Sequence, residues 1–317
     1  MKEYNRRQFL GLATVGLALT GCGKAEKLEE RVEEVQTSGY VNVDGFKLRY
    51  HIEGTGVPCM VVGDALTPAR ALSKELRKHF RFIFMDSRMT VQCDKSVEIE
   101  KITMDTLIDD IEQVRKALGL NKICVLGHSI SGLLALEYAR KYPEHASYVI
   151  MHGTPPYYNT KFKEIVAENW EVHASDERKR ILKQNWEKLP KDTLSSLSPS
   201  DADILKYITD GPKIWYDPTY DASWLLKGAY WNVEVWNHLF EVIMAKYDLT
   251  KEDKIKTPVF LALGRNDFFV PYYVWNEFKD KLPNISYNLF EKSGHYPMLE
   301  EQELFDKKLI EWIKGQK

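Results

Sequence analysis

From residue 58 onward, short apolar runs alternate with longer stretches of helical period. Residues 58–62, 82–85, 122–126, 146–151, 257–263 and 285–290 read as strands, and 68–79, 104–118, 130–141 and 301–313 as helices. Most of these strands are apolar along nearly their whole length, which means burial on both faces. The alternation therefore predicts a largely parallel sheet with helices on each side and functional loops at the strands' carboxyl ends. A hairpin precedes it: residues 40–43 and 46–52 flank Asp44-Gly45, a pair suited to the type I′ turn whose twist matches that of paired strands.

Between residues 155 and 251 the alternation stops. The segment is rich in aromatics, with Trp170, Trp186, Trp215, Trp224, Trp231 and Trp236, and is broken by Pro190, Pro199, Pro212 and Pro218. Where a period is visible it is helical. Large aromatics supply most of the buried area open to a small helical unit, so packing accounts for most of these tryptophans. Others remain to line an apolar pocket, Trp231 among them.

The chemistry starts at Gly127-His128-Ser129-Ile130-Ser131-Gly132, between a predicted strand and a predicted helix. A sharp strand-to-helix turn there would raise the Ser129 hydroxyl above the sheet, with the free N–H groups of the helix start behind it. Two later loops supply partners. Asp267 follows the strand at 257–263, and His295 follows the strand at 285–290. Ser, Asp and His thus occur in that order, each in a loop after a strand, which matches one known scaffold for acyl transfer by an activated serine.

The stretches GHSISGLLALEYARKYPEH, LALGRNDFFVP and SGHYPMLEEQELF resemble the α/β-hydrolase superfamily, in particular the branch that includes proline iminopeptidases. The resemblance spans roughly residues 40–315 and is weakest between about 155 and 251. It implies an α/β fold: a mostly parallel eight-stranded sheet, helices on both faces and an inserted helical cap over the nucleophile. It also implies Ser129 as nucleophile, His295 as base and Asp267 as the acid that orients the imidazole. Oxyanion donors are then expected from the backbone N–H of Ile130 and from the loop after the third strand. Aligning Gly63-Asp64 with the family's usual His-Gly pair selects Ala65. The corresponding loops of proline iminopeptidases are richer in glycine than Val61-Val62-Gly63-Asp64-Ala65 and Asp86-Ser87-Arg88-Met89-Thr90.

Asp64 is the unusual residue, because a carboxylate aimed at a developing oxyanion would raise the barrier. It either makes local turn hydrogen bonds or, with the cap residue Glu234 as an alternative, receives the free amine of a substrate. Asp86 and Arg88 are expected to brace the active-site loops as a structural pair. His128 and His152 are read first as structural histidines. With serine at the nucleophile position, a small ester, an amide or a short peptide is the expected substrate. An aminopeptidase of the proline iminopeptidase type is the closest alternative. A lipid-anchored binding protein on the same fold is the reading from another class.

The start of the chain carries an address. Asn5-Arg6-Arg7-Gln8-Phe9-Leu10 resembles a twin-arginine export signal, residues 9–19 form an apolar stretch, and Leu19-Thr20-Gly21-Cys22 resembles a lipobox. Cleavage before Cys22 would leave a lipid-bearing cysteine at the surface of the cell envelope. The stretch is shorter than the roughly 20 residues a bilayer span needs. The expected divisions are signal peptide 1–21, lipidated cysteine and charged tether 22–38, core 39–154, helical cap 155–251, and core 252–317.

Removing residues 1–21 takes away three positive and one negative side chain and moves the net charge from −2 to −4. That balance offers no concentrated basic face for nucleic acid. No Cys/His spacing matches a zinc site, and the expected chemistry uses no cofactor. Four cysteines make no disulfide framework. Cys59 and Cys124 fall in apolar strands, and a Cys59–Cys93 pair is left open.

Overall fold

A computed structural model describes residues 37–94, 96–190, 192–249 and 255–316. The expected signal peptide, lipobox and nearly all of the tether lie outside the described residues. Among those described, no helix is long and apolar enough to cross a membrane.

The predicted hairpin forms. Strands β1 (Ser38–Val43) and β2 (Phe46–Gly54) pair antiparallel, and the turn between them holds Asp44 and Gly45 at φ 43° and 82°. Both residues are left-handed, as a type I′ turn requires. Six further strands follow: β3 (Val57–Gly63), β4 (Phe80–Asp86), β5 (Ile123–His128), β6 (Ala146–His152), β7 (Val259–Gly264) and β8 (Ile285–Phe290). They build one eight-stranded sheet in the order β1-β2-β4-β3-β5-β6-β7-β8. Only the β1/β2 and β2/β4 pairings are antiparallel.

Strand periodicity divides the apolar side chains between two cores. Met60 and Val62 of β3, Ile83 and Met85 of β4, and Val125 of β5 face one. Their neighbours Cys59, Val61, Phe82, Phe84, Cys124 and Leu126 face the other. Helices α1 (Thr67–Ala71), α2 (Met104–Ala117) and α3 (Ile130–Lys141) come from the first half of the chain. The apolar faces of α2 and α3 close the first core through Leu107, Ile111, Leu133 and Leu134. Each such side chain, fully buried, contributes roughly 1.5–3 kcal/mol.

Between β6 and β7 the chain leaves the sheet and forms α4 (Thr160–His173), α5 (Asp176–Lys188), α6 (Thr193–Ser196), α7 (Pro199–Thr209), α8 (Gly211–Ile214), α9 (Ser223–Leu226) and α10 (Val233–His238). Four of these starts carry a side-chain cap, from Asn159, Ser175, Ser198 and Asn232. After β8, α11 (Pro297–Glu300) and α12 (Gln302–Gly315) return to the sheet. There α12 buries Phe305, Leu309 and Ile313 in the second core, beside Ala71 of α1.

One expectation needs correction, and one open question is answered. The single helix expected over 68–79 is broken. Leu72 is extended, the Ser73 hydroxyl accepts the N–H of Leu76, and the Arg77 guanidinium gathers the carbonyls of Ala69, Leu72 and Ser73. Side-chain hydrogen bonding thus competes successfully with the helix. Nor do Cys59 and Cys93 pair: the thiols of Cys59, Cys93 and Cys124 are free, and Cys59 sits opposite Cys124 on the neighbouring strand.

Candidate active site

The sheet brings three loops together at its carboxyl edge. After β5, Ser129 adopts φ 53° and ψ −127°; apart from Asp44 it is the only non-glycine residue with positive φ among those described. Such a conformation costs of order 1–3 kcal/mol and persists only where its surroundings impose it. Here the Ser129 N–H is held by the carbonyl of His152 at 2.9 Å, and α3 begins one residue later. Gly127 allows the tight return, because a Cβ there would collide with the backbone of Ser131 and Gly132. Ser131, where the usual pattern has glycine, is tolerated in the helix's first turn.

Asp267 follows β7 and is buried. Its Oδ1 accepts the N–H groups of Phe269 and Val270, both at 2.8 Å. That leaves Oδ2 for His295 Nδ1, at 2.7 Å. His295, also buried, follows β8. Its ring lies 4.5 Å from that of His128, the residue before Ser129, and His128 Nε2 contacts the His295 carbonyl at 3.0 Å. Among the described residues, Ser129 Oγ and His295 Nε2 are not hydrogen-bonded to each other, and neither atom has another hydrogen-bond partner. Hydrogen bonds of this kind often tighten only once substrate is bound.

The loop after β3 departs from expectation. Ala65 donates its N–H to Asp86 Oδ1 at 2.9 Å, so it is not a free oxyanion donor. Strand β3 ends at Gly63, one residue beyond the strand read from the sequence. Among the described residues, neither the N–H of Asp64 nor that of Ile130 has a hydrogen-bond partner. Gly63, the neighbour of Asp64, packs on Ser131, the neighbour of Ile130, so tightly that a Cβ would stand 2.7 Å from the Ser131 hydroxyl oxygen.

The Asp64 carboxylate is engaged locally. Its oxygens accept the N–H of Leu66 at 2.8 Å, the N–H of Thr67 at 3.1 Å, and the Thr67 hydroxyl, capping the short α1. Glu234 stands exposed in the first turn of α10. Both carboxylates considered as amine receptors are therefore otherwise placed. Trp231 is half-buried and lies edge-on to Tyr207, whose hydroxyl reaches that of Tyr296 at 2.8 Å.

Asp86 and Arg88 brace the site through separate partners, not as a pair. Asp86 holds Arg49 and Ala65, and burial pushes its carboxyl above the ordinary carboxylate range. Arg88 is bidentate to Asp110, with both contacts at 2.7 Å, and reaches Asp44 at 2.9 Å. His152 is fully buried beneath His128, and both of its ring nitrogens lack a partner. Burial, and then the neighbouring His295, lowers it to about 3, so this imidazole is neutral.

Sequence reasoning missed Glu300. Its carboxylate accepts the N–H of Gly294 at 2.8 Å, of Tyr296 at 3.3 Å and of Tyr216 at 2.6 Å. The only signal was an acid five residues after His295, the first of the acidic run Glu300-Glu301-Gln302-Glu303. Burial raises Glu300 from 4.5 to about 7, with the Asp267 charge adding to the shift and the three N–H donors opposing it.

Stability should therefore depend on pH with a definite sign. The folded state holds the Glu300 proton up to about pH 7, whereas the unfolded chain releases it near 4.5. Stability contributed by that proton is complete below 4.5 and is lost as the pH rises to about 7. Glu300→Gln should remove this fall, on the order of 1–3 kcal/mol, in thermal unfolding measured across that range. His152 acts in the opposite sense, costing stability as the pH falls below 6.5. The Glu300 effect is therefore read as the difference between variant and parent. An unchanged pH slope in the variant would contradict it.

The chain matches the family described as alpha/beta hydrolase fold over residues 65–302. It is 32% identical over 282 residues to the AB hydrolase superfamily protein YclE of Bacillus subtilis, covering 88% of this chain and 99% of that one. It is 26% identical over 311 residues to a proline iminopeptidase of Clostridioides difficile, covering 88% and 98%. Among solved structures, a proline iminopeptidase-related protein from Thermus thermophilus aligns with a TM-score of 0.62 over 86% of this chain and 95% of that one. At 19% identity this is a likeness of fold. Sheet order, strand directions and family match agree, and the chain belongs to the α/β-hydrolase family of enzymes.

Proposed function

We propose that this enzyme is a serine hydrolase that cleaves a small ester or amide through an acyl-enzyme, with Ser129, His295 and Asp267 as its triad. The observation that carries the reading is the 2.7 Å contact between His295 Nδ1 and Asp267 Oδ2, in loops adjoining a positive-φ serine at a strand-to-helix turn. A neutral hydroxyl is a weak nucleophile. His295 Nε2 takes its proton as Oγ attacks the carbonyl carbon, and Asp267 fixes the tautomer and stabilises the imidazolium that results. The same proton passes to the leaving alcohol or amine. A water deprotonated by His295 then attacks the acyl group, releases the acid and restores the serine.

The tetrahedral oxyanion receives the N–H of Ile130 and, in place of Ala65, the N–H of Asp64. Donors of this kind contribute about 3 kcal/mol each. The Asp64 carboxylate is engaged with the N–H groups of Leu66 and Thr67, which leaves its own backbone N–H as the group offered to the oxyanion. Tyr207, Tyr296 and Trp231 form an aromatic cluster next to His295 that we assign to the acyl side of a small, largely apolar substrate.

An aminopeptidase of the proline iminopeptidase type is the second reading, favoured by the relatives of that name. The placement of Asp64 and Glu234 weighs against it. Turnover of short-chain p-nitrophenyl esters is compared with that of proline and alanine arylamides. The expected result is an ester kcat/KM at least tenfold above that for either arylamide. Faster arylamide turnover would overturn the esterase preference in favour of the peptidase. Export and lipidation at Cys22, which would place the enzyme at the cell envelope, complete the proposal and rest on the sequence pattern of residues 5–22.

A further inference from the structure

Both loops that carry the acid and the base are tied to one strap of the cap, α8 and the two residues after it. Phe268, next to Asp267, donates its N–H to the Lys213 carbonyl at 3.0 Å. His295 donates its own N–H to the Ile214 carbonyl at 2.6 Å. Trp215 then stacks on Tyr296, with centroids 4.6 Å apart and planes 19° from parallel. Consecutive strap residues thus contact the acid loop, the base and the residue after the base.

The strap is itself gripped from two sides. From α5, the buried Arg178 donates to the carbonyls of Pro212 at 2.5 Å, Trp215 at 2.7 Å and Tyr216 at 2.5 Å. Its guanidinium also lies 5.2 Å from the centre of the Phe268 ring. From α11, Glu300 takes the Tyr216 N–H on one oxygen and the Gly294 N–H on the other. Burying a guanidinium among carbonyls costs several kcal/mol unless its donors are met. Arg178 meets them by fixing three carbonyls in one planar fork, a geometry that lysine cannot reproduce.

We propose that Arg178 is a positioning residue: through the strap at 212–216 it sets the separation of the Asp267 and His295 loops and so couples the cap to the triad. The inference rests on the serine-hydrolase reading for its kinetic consequence but not for its structural one. A misplacement of about 1 Å in reacting groups costs on the order of 10²-fold in rate. Arg178 is far in sequence from the reacting atoms and touches none of them.

The test uses the full chain with Arg178→Ala and Arg178→Lys, the second keeping the charge in case the first does not fold. Backbone hydrogen exchange is followed at Phe268 and His295, and kcat and KM are measured on a p-nitrophenyl ester well below the melting temperature. The expected result for Arg178→Ala is at least tenfold faster exchange at both amides and a kcat lower by about 10²-fold, with KM within about threefold. Arg178→Lys should lie between Arg178→Ala and the parent in both readouts. Unchanged exchange at the two amides overturns the proposal, and so does faster exchange with an undiminished kcat. If the parent turns over neither ester nor arylamide, the serine-hydrolase reading fails by itself, and exchange alone decides whether the strap holds the loops.

Discussion

Ser129→Ala is expected to lower ester turnover by about 10⁶-fold, the scale on which an acyl-transfer triad fails when its nucleophile is removed. The two nearest serine and threonine hydroxyls in the adjoining loops are otherwise placed. Ser131 is two residues into the elbow helix, and the Thr154 hydroxyl points back to the His152 carbonyl. The variant should fold. Its backbone must still adopt φ 53° at position 129, and alanine is no more hindered there than serine. Unfolding temperature should stay within a few degrees of the parent while kcat disappears, separating a chemical role from a structural one. A variant that retains a tenth or more of parental turnover would remove Ser129 from the mechanism.

Asp267→Asn should cost about 10⁴-fold in kcat with little change in KM. An asparagine oxygen can still accept from Phe269 and Val270, so the loop keeps its shape. The amide nitrogen then faces His295 Nδ1, where it can only donate. The imidazole is forced to carry its proton on Nε2, which is the nitrogen that must accept the proton of Ser129. Loss of the carboxylate also removes the charge that stabilises the imidazolium. Stopped-flow or steady-state measurements of kcat, with circular dichroism to verify folding, decide the matter. A loss smaller than tenfold would mean that Asp267 is not the group orienting His295.

What could be read directly from the sequence was whatever a local pattern determines. Asp44-Gly45 specified its own turn, and the apolar runs specified the strands, because a side-chain period of two is a property of neighbours. The Ser129, Asp267 and His295 loops were legible for the same reason, since each follows a strand whose end is marked by a change of pattern. Features fixed by distant partners were not legible. Ala65 was chosen as a donor from alignment, but its N–H is claimed by Asp86, 21 residues away. The break after Ala71 depends on the hydroxyl of Ser73 and the guanidinium of Arg77. Asp86 and Arg88, close together in the same loop, find Arg49 and Asp44 on the hairpin as separate partners. Glu300 meets Tyr216 across 84 positions, and Arg178 meets the same strap across 34 to 38. Nothing in the composition of those segments announces the meeting.

Covalent capture puts the activated serine itself to the test. A fluorophosphonate is incubated with the folded chain, and the modified residue is located by peptide mass spectrometry. An activated serine should be labelled within minutes at Ser129 and nowhere else. Labelling should be abolished in Ser129→Ala and strongly slowed in Asp267→Asn. Folded protein that takes up no label, or takes it up at another residue, would contradict the account.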